Sequence, residues 1–255
     1  MEEILISSEH EKNLEKKIYS LILLYREGKL GGDVMPEDSN PGLLEETAEN
    51  YVYFTLPMAL NYQRNSYGLW EAAKKTFMDK ETKDVFDMAQ VCNMDDVRLR
   101  EKLTRYSLAL QPNKQPIIWR KLCETFVEDY DGDIRVFFEK NDFCVNTIKA
   151  DILRNKKRFP YLSGEKIMNY WLYVMEQYTN ACFVDRNNIC IAPDTHIIKS
   201  CIKLGVINET DTKKEGIRKQ LNQFWNQFCE SKSIVPIDIH TPLWLWSRNG
   251  FQIEP

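Results

Sequence analysis

Two side chains stand where chemistry could be done, a lysine at position 166 and an aspartate at position 194. Lys166 opens an amphipathic helix directly after the turn PYLSG, where the helix macrodipole places partial positive charge and disfavours a cation. The apolar face of that helix, Ile167, Tyr170, Trp171, Val174, Met175 and Tyr178, begins beside it. Partial burial at that end, with the unsatisfied N–H groups of the first turn, should lower the amine's pKa from its reference of ~10.4 and make it a nucleophile. Asp194 lies in IAPDTHIIKSCIKLGV, where it is the natural N-cap of a helix from Thr195 to Leu204, behind Pro193. Taken alone it reads as a cap. A fixed, ionised carboxylate at a helix start also suits a base for an amine or a counter-charge for a cationic transition state.

The window that delivers the lysine is basic. RNKKRFPYLSGEK carries Arg154, Lys156, Lys157, Arg158 and Lys166 against one acid, Glu165. Pro160 and Gly164 punctuate it, so one helix ends near Arg158 and a second begins near Glu165. A turn of this kind can present free backbone N–H groups to an anion. The plain alternative is a solvated charge run beside an ordinary helix–helix connection.

Most of the remaining chain has helical periodicity. Leu14, Ile18, Leu21, Ile22 and Tyr25 mark a first helix that stops at Gly31-Gly32, and LGGDVMPEDSNPG reads as a surface loop. Helical patterns resume over about 44–79, 83–91, 94–109, 115–129, 133–141, 145–157, 165–180, 194–204 and 210–231. FVDRNNICIAP holds a short extended piece at best, so the fold expected is all-α. With 255 residues, 43% hydrophobic and 28% charged, the chain is long enough for a proper core and reads as soluble. It has no run of apolar residues long enough to span a membrane and no secretory leader, which points to an intracellular protein with no membrane partner. Seven cysteines without a leader favour reduced thiols. The separations of Cys182, Cys190 and Cys201 match neither zinc modules nor iron–sulfur runs, so they read as buried small apolar residues and no metal site is expected. The net charge of −4 argues against a general basic coat and leaves room for a local one.

YLSGEKIMN and PDTHIIKSCIKLGV together resemble the hairpin and second motif of the helix-hairpin-helix DNA glycosylase superfamily, LPGVGRKTA and VDTHVxRvxxRLGL. ALNYQRNSYGLWEAAKK resembles the helix that supplies a glutamine wedge, and FVEDYDGDIRVFFE the segment leading to the hairpin. IVPIDIHTPLWLW is similar to the PPLHLDTLLWL tail of the archaeal-type 8-oxoguanine glycosylase branch, which lacks the iron–sulfur loop as this chain does. The resemblance covers about residues 50–250. Two departures stand out: His240 occupies the place of that branch's base-reading aspartate, and the first hairpin glycine is replaced by Tyr161 or Leu162.

The resemblance implies a single catalytic unit over 1–255 with two helical lobes and an active site in the cleft between them. One lobe would hold about 80–180 with the hairpin at 159–165, and the other the N-terminal helices with about 190–255. It implies excision of an oxidised purine from double-stranded DNA by a monomer, with Lys166 as nucleophile forming a Schiff base and Asp194 as its catalytic partner. Ser163, Gly164 and Lys157 would hold a DNA phosphate, with a monovalent cation at the hairpin and no other cofactor. Gln63 would be the wedge, and Trp244, Trp246, Tyr62 and His240 would line the base pocket; core packing, or for Gln63 simple exposure, explains the same side chains. His196 does not share a helix face with Asp194 and is expected to pack or face solvent. An N-glycosidase acting on a nucleoside or RNA base, and a non-catalytic DNA-binding protein, are the other functions compatible with these motifs.

Overall fold

A computed structural model of the chain describes residues 3–30 and 35–255, and among them every regular element is an α or 3-10 helix. The chain divides into two compact units, one of Met1–Asp33 with Arg186–Pro255 and one of Val34–Asp185. Residues 34–80 therefore belong to the unit that contains the hairpin.

The first unit begins with α1 (Ser8–Arg26), whose start is capped by the Ser7 hydroxyl accepting from His10 N at 3.2 Å. Leu14, Ile18 and Leu21, spaced at three and four, form its buried face.

The second unit runs through α2 (Ala48–Ala59), α3 (Ser66–Met78), α4 (Met88–Asn93), α5 (Asp96–Arg105), α6 (Gln115–Asp129), α7 (Ile134–Lys140), α8 (Val145–Arg154) and α9 (Glu165–Tyr178). Every residue of α2 from Asn50 to Ala59 is buried, as expected of a helix apolar on all sides that serves as the centre of its unit. Tyr53 on α2 packs against Phe54, Trp70, Phe77 and Phe86 at centroid distances of 5.1, 5.8, 5.4 and 5.7 Å. On α9, Trp171 is fully buried between aromatic neighbours and donates its indole N–H to Thr55 Oγ1 at 2.9 Å, which fastens α9 to α2.

The single helix expected over 44–79 is two. The polar run NYQRNS interrupts it, with Leu60 closing α2 and the Asn65 side chain accepting from Gly68 N at 3.3 Å to start α3.

The expected surface loop is also different. Its residues 31–34 lie outside the described part, but Pro36–Asp38 form a 3-10 turn in which Pro36 and Glu37 are buried. The Glu37 carboxylate is completely enclosed: Trp70 Nε1 donates to Oε1 at 2.7 Å and Tyr170 OH to Oε2 at 3.0 Å. Burial pushes its pKa from 4.5 up to about 7, with the hydrogen bonds pulling the other way. Asp38 accepts from Tyr178 OH at 2.8 Å, so two successive acids tie this turn to two points along α9.

The first unit resumes with α10 (Thr195–Lys203), α11 (Ile217–Ser231) and α12 (His240–Arg248). Ile197, Cys201, Leu221, Trp225 and Leu243 supply its interior, and Trp225 Nε1 lies 3.3 Å from Cys201 Sγ. The pattern over 210–231 overran the true helix, because Gly216 takes φ +78° and α11 starts only after it. Over FVDRNNICIAP the backbone forms the 3-10 turn Arg186–Asn188 and no strand, held by a two-pronged bond from Arg186 to Asp238 at 2.8 and 2.9 Å. Periodicity assigned no helix over 240–248. Pro242 sits within the first turn of α12, where its missing N–H is not needed.

All seven cysteines are free. Cys201 is buried and Cys190 half-buried, while Cys182, expected to be buried, is exposed. Among the described residues, no group of three or more histidines, cysteines and acids could hold a metal ion, and no helix is long and apolar enough to cross a membrane.

Candidate functional site

The hairpin is α8, a turn over 155–164, and α9. Two buried side chains anchor the turn: Leu162, and Phe159, which packs on Phe126 and Phe137 at 5.9 and 5.6 Å. Arg158 ties it to α6. Its guanidinium reaches Glu128 at 2.9 Å and Asp129 at 2.7 Å, and its carbonyl accepts from Thr125 Oγ1 at 2.8 Å. Of the five cations in the window, this one is therefore committed to structure. Arg154, Lys156, Lys157 and Lys166 are exposed and form no ion pair among the described residues.

The backbone groups expected to grip a phosphate are differently disposed. Ser163 N donates to Phe159 O and Gly164 N to Tyr161 O, each at 2.9 Å, so both are used within the turn. The open groups lie just beyond, at Glu165, Lys166 and Ile167. They precede the first helical bond, from Met168 N to Gly164 O at 2.8 Å, and no side chain caps them. An anion at this hairpin would meet the first turn of α9 rather than Ser163 and Gly164.

Gly164 has a close neighbour in the turn. A Cβ on it would lie 3.1 Å from Tyr161 O, the acceptor of its own N–H. Gly164→Ala is expected to loosen the turn at a cost of about 1–2 kcal/mol, combining that crowding with alanine's poor record as an N-cap. Urea unfolding of the variant beside wild type measures it.

Lys166 itself is exposed, and the buried stripe begins one residue later at Ile167. The partial burial expected from the sequence is absent. Tyr170, one turn further along α9, is the residue that bonds Glu37, so the buried carboxylate holds the same stretch of helix that presents the lysine.

Gln63 is on no helix. It lies exposed between α2 and α3 with φ +51°. Its neighbour Tyr62 stacks on Tyr161 of the hairpin turn, centroids 5.2 Å apart and planes 27° off parallel, and Lys114 Nζ lies over the Tyr161 ring at 5.1 Å. Arg64 Nη1 donates to Leu108 O at 2.7 Å and Nη2 to Ser107 O at 3.2 Å. Three loops distant in sequence are thus joined beside the start of α9. Lys114 was not singled out from the sequence, and Tyr161 only as a residue in the place of a hairpin glycine; nothing in their spacing marks them as partners.

In the first unit, Asp194 caps α10 as expected. Its Oδ1 accepts from His196 N at 2.9 Å and Ile197 N at 3.0 Å, and Oδ2 accepts from Trp244 Nε1 at 3.2 Å. The segment before it is held by α11: Asn222 Nδ2 donates to Ile191 O at 3.1 Å, and Arg218 bonds the Pro193 carbonyl. The carboxylate is half-buried and fixed by three donors. Trp244 also meets His196 edge-on at 5.2 Å and carries Arg248 over its ring at 5.4 Å. His196 packs as expected, with Nδ1 3.3 Å from Ser247 Oγ. Burial holds its imidazole below the usual 6.5, helped by Lys199 and Arg248 and opposed by Asp194.

Trp246 does not fit a base pocket. It is buried, bonded through Nε1 to Ile253 O at 2.7 Å and packed edge-on against Phe251 at 4.7 Å, so it anchors the C-terminal tail. His240 is buried as well, at 4% exposure, at the start of α12. In comparisons with known proteins, no family model and no curated protein matches the chain.

Proposed function

We propose that the protein is a DNA N-glycosylase with AP lyase activity, acting on a damaged base in duplex DNA, with an oxidised purine such as 8-oxoguanine as the favoured substrate. The observation that carries this reading is the hairpin: a turn clamped by Phe159, Leu162 and Arg158, opening directly into an uncapped helix start with an exposed, unpaired lysine. The uncapped N–H groups and the neighbouring cations suit a phosphate, and the lysine is then within one helical turn of it.

In the reaction, the unprotonated Nζ of Lys166 attacks C1′ of the sugar. The glycosidic bond breaks, the base leaves with its electron pair and takes up a proton, and Asp194 accepts the proton lost by the amine. Opening of the sugar ring gives an imine between Nζ and C1′. Loss of a C2′ proton then expels the 3′ phosphate and nicks the strand. Asp194 suits its part because two backbone N–H groups and the Trp244 indole fix its orientation. No step needs a metal.

One observation favours a second reading. Asp194, Trp244 and His196 form a connected group within the first unit, and a fixed carboxylate beside an aromatic ring suits hydrolysis of a nucleoside or RNA base through water. A panel of duplexes carrying single damaged bases, run beside the same bases as free nucleosides and in RNA, tests both. Release of a base from duplex with strand nicking supports the first reading; release only from nucleoside or RNA replaces it with the second; release from none overturns both.

A further inference from the structure

Tyr62, Tyr161 and Lys114 form a ladder that nothing in the proposed reaction uses. The ring of Tyr161, on the hairpin turn at φ +60°, has Tyr62 stacked on it and the Lys114 ammonium over it. Tyr62 ends the ladder and is 47% exposed. The tryptophans of the unit, Trp70, Trp119 and Trp171, are by contrast at 0%. Its backbone is well held: Arg64, two residues on, is bonded to the carbonyls of Leu108 and Ser107. The next residue, Gln63, is exposed in a left-handed conformation, so the loop presents a flat ring and an amide side by side.

A π-stack that ends in an open ring can be extended by one more flat, polarisable ring. A nucleobase in its paired stack offers no free face to it, whereas an unpaired one does, and base–aromatic stacking is indifferent to base identity. The exposed cations Lys114, Lys157 and Lys166 belong to the loop, the turn and the helix start around it, as a phosphodiester would require. We propose that Tyr62, backed by Tyr161 and Lys114, is a stacking platform for the base left unpaired opposite an abasic or vacated position in the duplex that the hairpin grips. This rests on the nucleic-acid reading above and moves Tyr62 from the base pocket, where the resemblance placed it, to a place beside the Gln63 wedge.

The test uses full-length protein and a duplex bearing one tetrahydrofuran abasic site opposite 2-aminopurine, with a fully paired duplex as control. Affinity is read by fluorescence anisotropy, stacking by 2-aminopurine quenching, and base release on a damaged duplex is measured in parallel. Wild type is expected to prefer the abasic duplex by about tenfold to a hundredfold and to quench the probe, the range base–aromatic stacking supplies. Tyr62→Ala should lose both the preference and the quenching, and Tyr62→Phe should keep them. If Tyr62→Ala retains the wild-type preference and quenching, the platform is wrong while the glycosylase reading stands. A Tyr62-dependent preference without base release upholds the platform and removes the glycosylase. Wild type that binds neither duplex overturns both.

Discussion

Replacing Asp194 with asparagine is expected to leave the fold nearly intact and to lower base excision by about 10²–10⁴-fold, the usual worth of a positioned acid or base. The two effects separate because asparagine caps a helix about as well as aspartate. The bonds from His196 N and Ile197 N can both be kept by an amide oxygen, and only the bond from Trp244 Nε1 is lost, so unfolding in urea should shift by about 1 kcal/mol. Asp194→Ala should lose the cap as well, at about 1 kcal/mol. A purely structural aspartate would show the opposite pattern, with normal excision in Asp194→Asn. Single-turnover excision and urea unfolding on the same preparations decide it.

The second large effect is on stability. Glu37 is enclosed, with Trp70 Nε1 and Tyr170 OH as its donors, and Glu37→Ala would leave the buried indole N–H of Trp70 without its acceptor and remove the bond from Tyr170. The expected cost is about 3–5 kcal/mol, adding the stranded indole donor to the cavity. The pH dependence has a definite sign. Because burial raises the folded-state pKa from 4.5 to about 7, the folded chain holds a proton that the unfolded chain has lost between those values. The stabilisation is complete below about pH 4.5 and is lost as pH rises through about 7, amounting to about 3 kcal/mol. Glu37→Gln, which cannot ionise, should unfold with a flatter dependence between pH 5 and 8.5. The difference between the two urea-unfolding curves isolates this residue from the other titrating groups. Equal slopes in wild type and Glu37→Gln would contradict the assignment.

What could be read from the sequence follows the range of the interactions. Helix starts at Glu165 and Thr195 were legible because caps and turn residues act within three or four positions, and both were found within a residue of where they lie. The break between α2 and α3 was missed because the apolar spacing on either side outweighed the polar run NYQRNS, in which Asn65 and Ser66 mark a start in hindsight. PEDSNPG has the composition of a surface loop, yet Glu37 is buried, because only the folded chain brings Trp70 and Tyr170 to it. The same holds at the site. The pairing of Arg158 with Glu128 and Asp129, of Trp244 with Asp194, and of Tyr62 with Tyr161 joins residues far apart in the chain with no shared period. Lys166 shows the converse: its position at the helix start was legible, while its exposure depended on where the neighbouring chain runs.

In the proposed reaction Lys166 forms a covalent imine with the sugar it attacks. Incubation of wild type with a damaged duplex in sodium borohydride, followed by denaturing electrophoresis and peptide mapping, tests it most directly. A single adduct mapped to Lys166 and absent from Lys166→Ala is the expected result. Base release with no trapped adduct, or an adduct that persists in Lys166→Ala, would contradict it.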